Sequence, residues 1–116
     1  LQPNDVMLLI SNSGKTREII ELTALARGLR PDVKFIVITG NKESLLAKEA
    51  DICLYTGNPK EVCILGLTPT TSTTMMTVIG DIIVVGTMKK IKFTNEEYAK
   101  RHHGGYLGEK SREQSK

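Results

Sequence analysis

The stretch Asp5-Val6-Met7-Leu8-Leu9-Ile10-Ser11, continued by Asn12-Ser13-Gly14-Lys15-Thr16, decides the fold. Its first part is a continuous apolar run of strand length, which is typical of a strand buried on both faces of a parallel sheet. Its second part is a turn of small polar residues that leads into a helical pattern from about Thr16 to Arg30. A strand this apolar needs a neighbour on each side, so we expect residues of the same domain to precede Leu1.

Two more strands are predicted downstream, at Val33 to Thr39 and at Asp51 to Tyr55, with a short helix around Glu43 to Glu49 between them. The order strand, helix, strand, helix, strand predicts an α/β fold with a doubly wound parallel sheet flanked by helices. We expect residues 1–108 to form the C-terminal portion of a single domain and residues 109–116 to form a polar tail.

A long apolar helix is predicted from about Thr74 to Lys90, after a linker rich in Gly, Pro and Thr that begins at Thr56. It is apolar nearly all round, which is typical of a helix buried centrally or between subunits. Its most apolar part, Met75 to Met88, contains Asp81 and is shorter than the roughly 20 residues that span a bilayer. We therefore expect no membrane span. Beyond it, Thr94-Asn95-Glu96-Glu97 is a capping box that opens a shorter helix.

The composition excludes several classes of protein. The chain has 116 residues, 40% hydrophobic and 25% charged, with a net charge of +3, which suits one compact domain rather than a nucleic-acid-binding surface. Cys53 and Cys63 lie in apolar settings, which favours buried thiols in a reducing compartment. The start of the chain lacks a signal-peptide pattern, so we expect a cytoplasmic protein. Two cysteines and a distant histidine pair are too few for a metal site, and no cofactor is expected.

The turn between the first strand and helix is the first candidate site. Open α/β sheets bind ligands at the carboxyl ends of their strands, and a helix start there attracts anions. The hydroxyls of Ser11, Ser13 and Thr16 add donors, which predicts a phosphate cradle; the alternative is that Ser13 or Thr16 only caps the helix. Gly14-Lys15-Thr16 also looks like the end of a nucleotide-binding P-loop, but position 9 is Leu9 rather than glycine, which excludes that motif.

Glu61 and the histidine pair His102-His103 are the other candidates. Glu61 stands before the apolar run Val62 to Leu67, and partial desolvation there would raise its pKa toward the range of a general base. The histidines are the only two in the chain and precede Gly104-Gly105; histidine is suited to moving protons near neutral pH. From the residues alone, a solvated loop carboxylate and a surface helix end remain the commoner interpretations.

Taken together, these motifs resemble the SIS (sugar isomerase) domain, and most closely that of the arabinose-5-phosphate isomerases. The Ser11-x-Ser13-Gly14-x-Thr16 loop is the signature of the SIS fold. The segment from Glu61 to Thr74 looks like the isomerase segment Glu-Ala-Cys-Pro-Leu-Gly-Leu-Ala-Pro-Thr-Ser-Ser-Thr-Thr. Gly80-Asp81 and the segment from His102 to Gly108 also resemble segments of those isomerases. The matches follow one another in the same order over most of the chain.

The resemblance implies roles for individual residues. The expected contacts with the substrate phosphate are Ser11, Asn12, Ser13, Lys15 and Thr16. The expected catalytic residues are Glu61 as the base, His102 for ring opening or hydroxyl proton transfer, and Glu18 as the competitor for the base. Four positions depart from the family pattern without removing a residue expected to do chemistry: Lys15 replaces Glu, Ile64 and His103 replace Pro, and Arg101 replaces Ser.

The resemblance further implies interconversion of D-ribulose 5-phosphate and D-arabinose 5-phosphate, for synthesis of Kdo in lipopolysaccharide or capsule. It implies a homotetramer of a stand-alone form without CBS domains, whose upstream half is needed for activity. CMP-Kdo is expected as a feedback ligand at the hydroxyl cradle, and neither a nucleic acid nor a membrane is expected as a partner. The alternatives are an isomerase of another sugar phosphate and a non-catalytic module that senses a sugar phosphate.

Overall fold

A parallel sheet forms the centre of the first of two units into which the chain divides, Leu1–Ile79 and Gly80–Lys116. The computed structural model describes residues 1–102 and 104–115. The strands are β1 (Val6–Ile10), β2 (Lys34–Thr39) and β3 (Ile52–Tyr55), paired in the order β1-β2-β3. All pairs are parallel, with Leu9 opposite Val37 and Val37 opposite Cys53. The predicted α/β fold with a parallel sheet flanked by helices is confirmed.

The core of the first unit lies between one face of the sheet and the helices α1 (Arg17–Leu29) and α2 (Leu45–Glu49). Alternate side chains of β1 and β2 point into it, as the two-residue period of a strand requires. Its buried members are Leu9, Ala26, Val33, Phe35, Val37 and Leu46. The Arg27 guanidinium lies 4.5 Å from the centre of the Phe35 ring and covers the edge of this otherwise aliphatic core.

The opposite face of β1 is exposed in the described chain. Val6, Leu8 and Ile10 are 44–55% exposed, whereas Leu9 on the core face is buried. Within the described residues β1 pairs with β2 alone, and no described element buries this face. The described residues alone therefore do not provide the predicted burial of β1 on both faces, which stays a prediction for the whole domain.

Helix α3 (Thr71–Lys90) is 20 residues long and begins three residues before its predicted start. It is long and apolar enough to cross a membrane by length and composition, a test that core helices of soluble proteins also pass. The whole helix reaches the roughly 20 residues that span a bilayer, so its length does not exclude a membrane span, contrary to the prediction from Met75 to Met88. Its burial in the centre of the domain, one of the two predicted alternatives, is not found in the described chain, where Ser72 and Met76 are its buried residues; burial between subunits stays a prediction.

The second unit contains α4 (Asn95–Arg101) and α5 (Gly105–Glu113). The Thr94 hydroxyl accepts a 3.2 Å bond from the Glu97 N–H, which confirms the predicted N-terminus of α4. The two helices are joined by a 2.6 Å bond from the Ser111 hydroxyl to the Asn95 carbonyl. Helix α5 was not predicted, and it extends through the first five residues of the expected polar tail.

Candidate functional site

The loop between β1 and α1 (residues 11–16) is closed by its own hydroxyl groups. The Ser11 hydroxyl accepts a 3.1 Å bond from the Gly14 N–H and lies 2.7 Å from the Thr16 hydroxyl. Thr16 is the N-cap residue of α1, yet its side chain makes no capping bond to the helix. The first N–H groups of a helix have no partner within the helix; here the Ile19 N–H bonds to the Thr16 carbonyl at 3.1 Å, while those of Arg17 and Glu18 have no partner among the described residues and could bind a ligand. The geometry favours the cradle over the capping interpretation.

Gly14 is the one position of this loop that only glycine fits. Its φ is +62°, in the left-handed region, and a Cβ there would overlap the Ser44 side chain and approach Thr39 Oγ1. The Ser44 hydroxyl accepts from the Ala47 N–H and so caps α2. Gly14 thus brings the loop into contact with the start of the second helix.

The loop between β2 and α2 fixes the conformation of the first loop. The Asn12 carbonyl accepts bonds from the Gly40 N–H at 3.0 Å and from Thr39 Oγ1 at 3.2 Å. The Asn41 side-chain amide donates to the Ser13 carbonyl at 3.3 Å. These hydrogen bonds fix the carbonyls of residues 12 and 13. The two residues therefore have little freedom to rotate away from the start of α1.

An open cavity of about 450 Å³ lies at the carboxyl ends of the three strands. Each strand contributes to its lining: Asn12, Ser13 and Lys15 after β1, residues 40–43 after β2, and Tyr55 and Asn58 at the end of β3. This is the edge at which open α/β sheets bind ligands. The sequence predicted only the contribution of the first loop.

The predicted phosphate contacts fall into two groups. Asn12, Ser13, Lys15 and Thr16 are exposed, and the Ser13 hydroxyl, which accepts from the Lys15 N–H at 3.1 Å, can still donate its own proton. Ser11 is only 6% exposed, and its hydroxyl is engaged inside the loop. The geometry makes Ser11 a support for the loop, while its predicted contact with the phosphate stays a prediction.

Glu61 is held at the start of α3. Its Oε2 accepts from the Thr70 N–H and the Thr70 hydroxyl, both at 2.7 Å, and from the Ser72 N–H at 3.3 Å. These hydrogen bonds from Ser72 and Thr70 lower the pKa of the Glu61 carboxyl from 4.5 to about 2. The predicted rise in this pKa is therefore wrong, because hydrogen bonding to the charged form outweighs desolvation. The bonds orient an ionised carboxylate, and all three go to the same oxygen.

Cys63 lies in the loop that Glu61 closes. Its sulfur accepts from the Thr68 N–H at 3.1 Å and the Leu67 N–H at 3.2 Å. Hydrogen bonding by Thr68, with a smaller contribution from Leu67, lowers the pKa of the Cys63 thiol from 9.0 to about 7. Cys63 is half-buried and Cys53 is exposed, so the predicted burial of both thiols is wrong in the described chain.

The remaining candidates lie at two helix ends. Glu18 is exposed in the first turn of α1, two residues beyond Thr16. His102 belongs to the second unit, where it ends α4 and its ring stacks on Tyr98 with centroids 4.3 Å apart. His103 lies outside the described residues. In residues 1–102 and 104–115, no group of three or more His, Cys, Asp or Glu side chains could hold a metal ion.

Comparison with known proteins gives a consistent result. The profile of the SIS domain family matches residues 1–85. Arabinose 5-phosphate isomerase KdsD of Yersinia pestis is 44% identical over 110 residues, which are 95% of this chain and 33% of that relative. KdsD of Escherichia coli K12 is 45% identical over 93% of this chain and 32% of its own length. The chain thus spans about one third of the curated relatives it matches.

Two solved structures extend the similarity to the fold. A Bacteroides fragilis protein described as a phosphosugar isomerase involved in capsule formation is 73% identical, with a TM-score of 0.88. That similarity covers 91% of this chain and 55% of the other. The E. coli CFT073 protein c3406, solved in complex with arabinose 5-phosphate, is 32% identical with a TM-score of 0.76, over 88% of this chain and 53% of that one.

Proposed function

The chain belongs to the SIS domain family, and from that membership we propose that the full-length protein interconverts D-ribulose 5-phosphate and D-arabinose 5-phosphate. The observation that carries the proposal is the 11–16 loop, whose exposed donors surround an uncapped helix start as a phosphate requires. The names of the KdsD relatives and the arabinose 5-phosphate complex of c3406 support the choice of sugar.

The proposed reaction moves one proton between C1 and C2. A base removes the C2 proton of the open-chain aldose, the released electron pair forms the C1=C2 bond, and the carbonyl oxygen is protonated to give a cis-enediol. Return of the proton to C1 and loss of the O2 proton then give the ketose. Glu61 is proposed as the base because it is ionised and oriented through Oε2. Glu18 is the competitor, and His102 is proposed for ring opening or hydroxyl proton transfer.

An assay of the full-length protein with a panel of sugar phosphates tests the substrate. In the presence of a chelator, we expect arabinose 5-phosphate to give ribulose 5-phosphate, and sedoheptulose 7-phosphate and hexulose 6-phosphate to react far more slowly. Faster turnover of either competitor would assign the protein to another sugar phosphate. Binding without turnover of any of the three would favour the sensing module, and activity restored by a divalent ion would contradict a mechanism without metal.

The proposed pathway is Kdo synthesis for capsule or lipopolysaccharide, because the similar B. fragilis protein is described as involved in capsule formation. CMP-Kdo, anionic through its phosphate and its carboxylate, is proposed as a feedback ligand of the cradle that contains Lys15. Adding CMP-Kdo to the same assay should raise the apparent KM for arabinose 5-phosphate. An unchanged KM at millimolar CMP-Kdo would exclude such competition.

The proposed homo-oligomer, a tetramer, rests on the apolar residues of α3. Val78, Ile82, Val84 and Val85 are 48–65% exposed in the described chain, and a run of this kind is normally covered by protein. Light scattering of the full-length protein should give about four times the mass of one chain, and a monomer would contradict the proposal. A cytoplasmic location is also proposed, since sugar phosphates are made and used there; recovery in the membrane fraction would exclude it.

A further inference from the structure

Two lysines from different loops line the cavity at the strand ends. Lys15 follows β1 and Lys42 follows β2. Adjacent strands lie about 4.8 Å apart, so the loops that follow β1 and β2 are neighbours at this edge. Among the side chains that the structure describes, neither ammonium forms an ion pair with a carboxylate. Glu43 is the one acidic residue of the lining, which leaves the cavity with a net positive charge.

Lys42 is held toward the third strand. Its Nζ lies 5.7 Å from the centre of the Tyr55 ring, a distance at which the face of an aromatic ring attracts a cation. Tyr55 is paired with Thr39 in the register of β2 and β3, and it lines the same cavity. The ring keeps the long side chain at the mouth of the cavity without neutralising its charge.

We propose that Lys42 is a further substrate-binding residue, whose ammonium binds the phosphate of the ligand from the β2–α2 side. On the β1–α1 side, the 11–16 loop offers hydroxyl and N–H donors and the ammonium of Lys15. A phosphate dianion between the two loops would then meet a charge from each. This inference rests on the proposed function, because it assigns a further contact to the same phosphate.

Calorimetric titration of the full-length protein with inorganic phosphate and with arabinose 5-phosphate tests the assignment. Lys42→Met removes the charge and keeps the length of the side chain. It should weaken the binding of each ligand about tenfold, the scale of a hydrogen bond to a charged group. Lys42→Arg should retain most of the affinity because it keeps the charge. Lys48→Met, an exposed position of α2 outside the cavity lining, is the matched control and should bind as the wild type does.

Kinetics separate this contact from a structural role. Lys42→Met should raise KM for arabinose 5-phosphate by a similar factor and leave kcat unchanged, with a weaker dependence of KM on salt. Wild-type affinity in Lys42→Met, or a loss of kcat at unchanged KM, would overturn the inference while the proposed function stands. If the wild-type protein binds neither ligand, the proposed function fails and this inference falls with it.

Discussion

Replacing Gly14 with alanine should lower kcat/KM for arabinose 5-phosphate by about 100-fold, the scale expected when a positioned substrate is displaced by about 1 Å. A non-glycine residue at φ +62° costs about 1–2 kcal/mol. The new Cβ would also overlap the Ser44 side chain that caps α2. Rotation of the Ser44 hydroxyl would leave the overlap with the Ser44 Cβ, so the loop must shift away from the start of α2, and the phosphate donors would move with it.

Alanine substitutions at two other glycines distinguish the effect of backbone strain from that of the overlap with Ser44. Gly28→Ala, in α1, meets no heavy atom within 4 Å, and it should leave kcat/KM unchanged while stabilising the helix by roughly 0.5–1 kcal/mol. Gly57→Ala introduces the same kind of backbone strain at φ +84° without an overlap. If Gly14→Ala and Gly57→Ala lose equal activity, the contact with Ser44 is irrelevant to the site. Wild-type activity in Gly14→Ala would exclude the cradle.

Glu61→Gln should lower kcat by about 100-fold or more, the usual scale for a positioned acid–base group. Glu18→Gln, measured beside it, tests the competing base and should lose less activity. Because the Glu61 pKa is about 2, the carboxylate is ionised over the whole working range. The wild-type rate should therefore show no acidic limb from this group above about pH 4. A larger loss of kcat in Glu18→Gln would transfer the role of base to Glu18.

The same variant has an expected effect on stability. A carboxyl whose pKa is lowered on folding stabilises the native state above its unfolded value of 4.5, and the contribution is lost as the pH falls toward 2. Glu61→Gln should thus be less stable than the wild type at pH 7, and the difference should shrink as the pH falls below 4.5. Urea unfolding of the full-length proteins at a series of pH values measures it. If the difference in unfolding free energy between the two proteins did not change with pH, the charge of Glu61 could not be the cause of that difference.

Much of the fold could be predicted because its signals are local. The apolar run of β1, the glycine-containing turn after it and the Thr94 capping box each act over a few residues, and each lies at or within a few residues of its predicted place. The apolar pattern of α3 predicted burial, yet a pattern cannot say whether the covering partner lies in the same stretch of chain. For that reason the pattern could not choose between burial in the centre of the domain and burial between subunits.

The site was only partly predictable because its remaining parts are distant in sequence. Asn41, Lys42 and Tyr55 join the cavity only through the register of the sheet. The ends of the second and third predicted strands were a signal that could have pointed to them. The pKa of Glu61 depends on hydrogen bonds from Ser72 and Thr70, eleven and nine residues away, which lie within reach only because α3 begins beside them. Hydropathy around Glu61 suggested desolvation alone.

A crystal structure of the full-length protein with arabinose 5-phosphate bound is the most direct test of the phosphate cradle. We expect the phosphate at the start of α1, with its oxygens about 3 Å from the Ser13 hydroxyl and from N–H groups of the 11–16 loop. The sugar should extend from there within reach of Glu61 or Glu18. A phosphate bound away from residues 11–16, with this loop facing only solvent, would contradict the cradle as the substrate site.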